Sequence, residues 1–368
     1  MAHYAALLLS RQALRPCAAA PWVRQTMAAL DWLRAEGLTV ISSVGMPTWE
    51  LICAAAGLRG VPQVVIVPGP GGARGTAPDS LCAAFGLGET ASFHPLPVDS
   101  RKAFPSARDQ VVFSLADLLV PISIRPGGFM ATRLAEYRSA GRAVVDRFAV
   151  AYRPREEPLR YAISERELNP DLEKLSRHYV THWTRAARGP WPDELPIDYY
   201  RSILASPAYP RTALDTLRRI LTSRRLVASD RHLPRGVRAV AFSGLSPHRV
   251  LPLIRWRARY REMSFEPYGV AIDASVAREH GILPVEYCDP ATRPALPPDD
   301  HWRLQSSGVV GDWVREEEYR CEGDFDLGTV PEEALLAFCR FPAEAGDIAR
   351  TSGVRCLPLL ARDPRPPG

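Results

Sequence analysis

Along residues 1–150, short apolar runs alternate with stretches whose apolar positions recur at helical spacing. The runs at 5–9, 38–42, 63–67, 118–124 and 143–149 predict strands, each too short for a helix and flanked by turn residues. Between the first two, 21–36 reads as a helix. Pro21 suits a first helical position, Val23, Met27, Leu30 and Leu33 share one face, and Gly37 ends it. Further helices are expected over 47–57 and 129–140, with a glycine-rich loop at 69–75. Strands alternating with helices predict a parallel sheet covered on both faces, a Rossmann-like α/β domain over 1–150.

The pattern gives out between 152 and 169, which is charged and proline-containing, so 151–178 is expected to be a linker. Beyond it the elements shorten. A turn-rich loop is expected at 188–196 and a helix over 212–225, where Thr212 and Asp215 stand at capping-box spacing and Leu214, Leu217, Ile220 and Leu221 share a face. Strands are expected near 179–184, 237–243, 269–272, 284–288, 319–321 and 334–340. These make an α+β domain over 179–362, followed by a proline-rich tail, 363–368, expected to be disordered.

Composition narrows the class. With 46% hydrophobic and 24% charged residues the chain of 368 residues is globular. No stretch approaches the roughly 18 uninterrupted apolar residues of a membrane helix, and residues 1–9 lack the basic start of a secretory signal. A soluble cytoplasmic protein with no membrane partner is expected. The net charge of +5 is modest, but all but two of the 46 basic residues are arginine. Arginine suits phosphates and nucleic acid, although a chain this rich in Ala, Pro and Arg also fits a general coding bias. Seven scattered cysteines without a C-x-x-C pair predict reduced thiols and no metal site.

Candidate chemistry lies first where strands run into helices. Ser42-Ser43-Val44-Gly45-Met46-Pro47-Thr48-Trp49-Glu50 joins the second strand to its helix, a place where backbone N–H groups and the helix dipole favour an anion. An ordinary tight turn has the same local chemistry. The fourth strand ends likewise in Ser123-Ile124-Arg125-Pro126-Gly127-Gly128. Ser43, Gly45, Thr48, Arg125, Gly127 and Gly128 are therefore candidates to surround a phosphate. This pair of turns resembles the SLOG superfamily, which includes the DNA-processing DprA proteins and the nucleotide phosphoribohydrolases. The phosphoribohydrolases carry PGG-x-GT-x-x-E, whereas here Gly128 runs into Phe129-Met130-Ala131-Thr132-Arg133. The resemblance thus implies nucleotide or nucleic-acid binding in the first domain rather than hydrolysis.

The second domain offers His182-Trp183-Thr184-Arg185, then Val240-Ala241-Phe242-Ser243, then Glu316-Glu317-Glu318-Tyr319-Arg320. Singly, each has a plain structural reading: a hydrogen-bonded core histidine, a strand end, a solvated charge run. Together, with Leu217-Arg218-Arg219-Ile220-Leu221 and Tyr268-Gly269-Val270-Ala271-Ile272, they resemble the ADP-ribosyltransferase-like fold of the DarT and AbiGi kind. That resemblance implies NAD as substrate and a role in phage defence. It implies Glu318 as the carboxylate stabilising charge on the ribose and His182 as a catalytic partner on the ribose hydroxyls. Thr184 supports His182, Ser243 lines the nicotinamide pocket, Tyr268 stacks on the nicotinamide, and Arg185 and Arg320 take the pyrophosphate. Strand alternation would send Glu317 to the face opposite Glu316 and Glu318. The expected activity is ADP-ribosyl transfer or NAD hydrolysis governed by a nucleotide ligand on the first domain. Protein, DNA, RNA or water remains open as acceptor, as does self-association. The alternative is a non-enzymatic nucleotide- or nucleic-acid-binding protein.

Overall fold

The computed structural model describes residues 3–364 except 70–77, 99, 101, 154–158, 176–177, 231–232, 234–235, 259, 289–301 and 307–312. Most of the expected glycine-rich loop and the end of the tail therefore lie outside the described residues.

The chain divides into two compact units, but not at a linker. Unit 1 takes 1–157 and also 188–210; unit 2 takes 158–187 and 211–368. In unit 1, β1 (Tyr4–Leu9), β2 (Thr39–Ser43), β3 (Gln63–Pro68), β4 (Ala91–Leu96), β5 (Leu118–Ser123) and β6 (Ala143–Val144) form one parallel sheet in the order β4-β3-β2-β1-β5-β6. Helices α1 (Pro21–Ala35), α2 (Pro47–Arg59), α3 (Pro78–Phe85), α4 (Phe104–Leu115) and α5 (Phe129–Ser139) make the connections. The central strands are apolar on both faces and fully buried, as the sequence predicts for a covered parallel sheet. The order reverses at β1: β2 follows it on one side and β5 flanks it on the other. Both glycine turns thus leave the same carboxyl edge, one on either side of β1.

Segment 188–210, expected in the second domain, belongs to unit 1. It carries α6 (Pro196–Ala205), whose Ile197, Tyr199, Tyr200 and Ile203 enter the first core. The expected linker also folds, in its second half, onto unit 2. A 3-10 turn at Pro170–Leu172 buries Leu172, and Leu168 bridges to Leu360, both leucines joining the cluster around Trp183 and Phe338. The leucines set up no periodicity in this charged stretch, and backbone bonds add to them: Asn169 N–H to the Leu359 carbonyl at 2.8 Å and Ala361 N–H to the Glu167 carbonyl at 2.9 Å.

Unit 2 is built on a mixed seven-stranded sheet. Its strands are β7 (Tyr179–Trp183), β8 (Ala239–Ser243), β9 (Gly269–Asp273), β10 (Leu283–Pro284), β11 (Glu318–Glu322), β12 (Leu335–Cys339) and β13 (Cys356–Pro358), in the order β10-β11-β8-β7-β9-β12-β13. Helix α7 (Ala213–Ser223) starts with the expected capping box, Thr212 accepting from Asp215 N–H at 3.2 Å. Helix α8 (Pro342–Ser352) lies between the last two strands in sequence. The central strands β7 and β8 share a single registered pair, Thr181 with Ser243. Neighbouring pairs of strands hold four or five, so the sheet parts at this seam.

Among the described residues, no helix is long and apolar enough to cross a membrane.

Candidate functional site

At the seam between β7 and β8 a cavity of about 350 Å³ opens, lined among others by His182, Ser243, Glu318, Arg185, Arg320, Glu316 and Arg257. Register explains part of the convergence. Ser243 pairs with Thr181 on one side and with Glu318 on the other, so these three present one row of side chains. His182, next to Thr181, alternates to the opposite face beside Phe242 and borders the cavity where the sheet parts. Of the residues expected to act here, His182, Glu318, Ser243, Arg185 and Arg320 line the cavity; Thr184 and Tyr268 do not.

His182 reaches across the seam. Its Nδ1 lies 2.8 Å from the carbonyl of Ala241. A carbonyl only accepts, so Nδ1 carries the hydrogen and Nε2 is left as an acceptor. Burial pulls the imidazole down to about 4, against the help of the Ala241 carbonyl, so the ring is neutral near pH 7.

Glu318 opens β11, and Arg320 follows two residues on, on the same face. The guanidinium grips both carboxylate oxygens, Nε to Oε1 at 2.8 Å and a terminal nitrogen to Oε2 at 3.2 Å. Its remaining donors go to the carbonyls of Trp302 (2.9 Å) and Leu304 (3.1 Å) and to Oε1 of Gln305 (2.5 Å). Arg320 was expected on a pyrophosphate; instead its donors are spent on fixing Glu318 to the 302–305 segment. The Glu318 N–H also bonds the hydroxyl of Tyr287 at 3.2 Å, a phenol that burial pushes up to about 12.

Glu316 also lines the cavity, and burial pushes its carboxyl up while Arg257 pulls it down. Glu317 points elsewhere and pairs with Arg249. The sorting agrees with the expected alternation, but its cause differs. Glu316 ends a 3-10 turn (Trp313–Glu316), and Glu317 has a left-handed φ of 43°, so only Glu318 is in the strand. Ser243 locks this junction by donating to the Glu316 carbonyl (2.6 Å) and accepting from Leu245 N–H (3.2 Å). Its hydroxyl is therefore committed to backbone, although the residue borders the cavity.

Two expected roles are displaced. Thr184 is buried, its hydroxyl set against the carbonyls of Ala213 (2.9 Å) and Tyr268 (3.1 Å), so it ties β7 to the start of α7. Tyr268 is packed in the core with its hydroxyl on Glu344 at 2.9 Å, and cannot stack on a ligand in the cavity. The aromatic residues that do border it are Trp183, Phe242 and Phe265. Sequence reasoning passed over Arg257, which enters from a short hairpin (Trp256–Arg257 with Glu262–Met263). Arg185 and Arg257 lie 3.5 and 3.6 Å from the same buried oxygen of Glu262.

In unit 1 the other candidates stand at the carboxyl edge. Ser43 is buried and donates to the carbonyl of Ile66 at 2.7 Å. Gly45 turns with φ +84° and gives its N–H to Glu50 Oε1 at 2.9 Å. Arg125 is exposed and held by its own N–H to Ser10 Oγ (2.9 Å); Gly127 is left-handed at +67°, and Gly128 caps α5. Thr48 Oγ1 is buried without a hydrogen-bond partner, and so are Trp49 Nε1, Ser123 Oγ and Arg108 Nη1. Arg108 is 1% exposed, bonded to Asp109 at 2.7 Å and set 5.2 Å from the Trp49 ring. A fully buried arginine inside a helix of otherwise ordinary pattern carries no local sequence signal, so it was missed.

No family model, no curated protein and no solved structure matches the chain. Among the described residues, no group of three or more His, Cys, Asp or Glu side chains is arranged to hold a metal ion.

Proposed function

We propose that unit 2, an ADP-ribosyltransferase-like domain, cleaves the bond between nicotinamide and ribose in NAD and passes the ADP-ribose to an acceptor or to water. The observation that carries this is that His182 and Glu318, from strands far apart in sequence, both border one cavity of about 350 Å³, within the range of small-molecule sites. As the C1′–N bond breaks, nicotinamide leaves neutral and positive charge develops on the ribose. Glu318, oriented by Arg320, supplies the opposing charge. Glu316, biased by burial toward its protonated form, is the partner whose environment differs from that of Glu318. In its ionised form Glu316 takes the proton that the attacking hydroxyl gives up as its oxygen joins C1′, and its raised proton affinity suits it to hold that proton afterwards. Neutral His182 accepts a ribose hydroxyl at Nε2. Arg185 and Arg257 face the phosphates, and Phe265 takes the place that Tyr268 leaves empty for the nicotinamide.

The carboxyl edge of unit 1, with its buried unpartnered donors, supports a SLOG-like, Rossmann-type domain that responds to a nucleotide. A role in phage defence follows from the resemblance of the two domains alone.

The test is nicotinamide release from NAD by the full chain, with and without added nucleotides. Glu318→Gln should lower the rate by about 10²–10³, the loss of one preorganised charge. Equal release by wild type and Glu318→Gln, or none by wild type under any nucleotide, sinks the reading. A second reading, a nucleotide-binding protein without turnover, is favoured by one feature: both oxygens of Glu318 are already held by Arg320. Saturable NAD binding without nicotinamide release would select it.

A further inference from the structure

Beside Glu318, the unit 2 cavity is bordered by a parallel ribbon of two short strands, Glu286–Cys288 and Leu304–Ser306, in which Tyr287 stands opposite Gln305. One guanidinium joins this ribbon to β11. Every N–H of Arg320 is engaged: Nε on Glu318, one terminal nitrogen on the carbonyls of Trp302 and Leu304, the other on both Glu318 Oε2 (3.2 Å) and Gln305 Oε1 (2.5 Å). The arginine has nothing left for a ligand, but it dictates what its neighbours present. A guanidinium only donates, so this contact fixes the side-chain oxygen of Gln305 on Arg320 and leaves the –NH2 as the group Gln305 can offer. Gln305 borders the cavity, and among the described residues its –NH2 has no partner. Glu318, ionised on Arg320, keeps one lone pair on each oxygen for a further donor. A charged acceptor and a neutral donor are thus held on the same nitrogen. A phosphate does not suit this corner, because Glu318 and Glu316 repel it. A sugar with two adjacent hydroxyls suits both groups, one hydroxyl donating to the carboxylate and the oxygen of the other accepting from the amide.

We propose that Gln305 is a specificity-determining residue that reads the nicotinamide ribose together with Glu318. The 2′-hydroxyl donates to the Glu318 carboxylate, and the 3′-oxygen accepts from the Gln305 amide. This rests on the reading of unit 2 as an NAD-cleaving domain and adds the means by which its site tells a ribose from a deoxyribose. Arg320 is the positioning residue for both groups: its rigid plane sets the spacing between acceptor and donor.

The experiment uses the full chain at pH 7.5 with two probes, NAD and its analogue lacking the 3′-hydroxyl on the nicotinamide ribose, and reads Kd for each by calorimetry. Wild type should bind NAD about tenfold more tightly than the analogue, the loss of one hydrogen bond that leaves a donor unpaired. Two variants separate recognition from support of the frame. Gln305→Met removes both the donor and the acceptor that Arg320 uses. Gln305→Glu keeps an acceptor for Arg320 but offers the cavity no donor. Both should bring the two probes to within about twofold of each other. Discrimination that survives in Gln305→Glu would mean that the side chain serves only to hold Arg320, and overturns the inference. Equal binding of the two probes by wild type overturns it as well, and in either case the NAD reading stands. No saturable binding of either probe by wild type overturns both.

Discussion

Replacing Arg320 with methionine isolates what holds the Glu318 carboxylate at the seam. The substitution keeps most of the apolar stem and removes the donors that serve Glu318, Gln305 and the carbonyls of Trp302 and Leu304. The Glu318 side chain is only 16% exposed, and a buried charge stripped of its partner costs roughly 3–5 kcal/mol. Protonation limits that cost: forcing a carboxyl with an unfolded value of about 4.3 into its neutral form takes about 4 kcal/mol at pH 7. The orphaned carbonyls add about 1–2 kcal/mol at any pH. In the variant the folded carboxyl binds its proton more tightly than the unfolded one. The deficit against wild type is therefore small below about pH 4.3, grows as pH rises, and levels off once pH passes the raised folded value. Urea unfolding should give a loss of about 4–6 kcal/mol at pH 7.5 and about 1–2 kcal/mol at pH 4.5. Glu318→Gln/Arg320→Met, having no charge to strand, should lose the same amount at both pH values. A deficit for Arg320→Met that is identical at the two pH values would refute the claim that this guanidinium works by sustaining the charge of Glu318.

The remaining predictions follow from groups whose places are equally definite. His182 has its folded value pulled down to about 4, below the unfolded value of about 6.5, so its neutral form contributes stability above pH 6.5 that is lost as pH falls toward 4, up to about 3 kcal/mol. His182→Asn should flatten the fall of the urea midpoint across that window, and an unchanged slope would contradict the assignment. Tyr268→Phe removes the hydroxyl bond to Glu344, whose other oxygen accepts the N–H groups of Arg340 and Phe341. It should lower stability by about 1–2 kcal/mol while leaving the KM for NAD unchanged, whereas a raised KM would return Tyr268 to the site.

The parallel sheet was legible because its strands are buried on both faces and so read as unbroken apolar runs. What escaped did so for local reasons. β4 is an edge strand with a mixed pattern and carries His94 and Pro95, so nothing marks it as a strand. α4 buries Arg108 beside Phe104, Val112 and Phe113, which breaks the apolar face that would have announced it. α8 has only Ala345 and Ile348 buried, with Gly346 between them. α6 has a good apolar face, but its partners are α2 and α3, some hundred residues earlier, and proximity in sequence assigned it to the wrong unit. A chain that leaves one domain and returns to it has no compositional boundary to read.

The candidate site divides along the same line between what a strand dictates and what tertiary contacts add. That Arg320 joins Glu318 on one face follows from alternation within β11, whereas Ser243 joins them only through the register between β8 and β11. Alternation says nothing about which hydroxyls and guanidiniums are already engaged. Thr184, Ser243 and Arg320 all look like free ligand-binding groups in the sequence, and each is consumed in holding the frame. The turn at Glu317 is the sharpest case. A left-handed glutamate is uphill by roughly 1–2 kcal/mol, and it persists because Gly244 donates its N–H to the Glu317 carbonyl at 2.8 Å while Arg249 pairs with the side chain. Gly244 is required there, since a Cβ would come within 2.8 Å of the Tyr319 ring. The turn falls between the two carboxylates that border the cavity, and it is the left-handed step after which the chain becomes extended at Glu318.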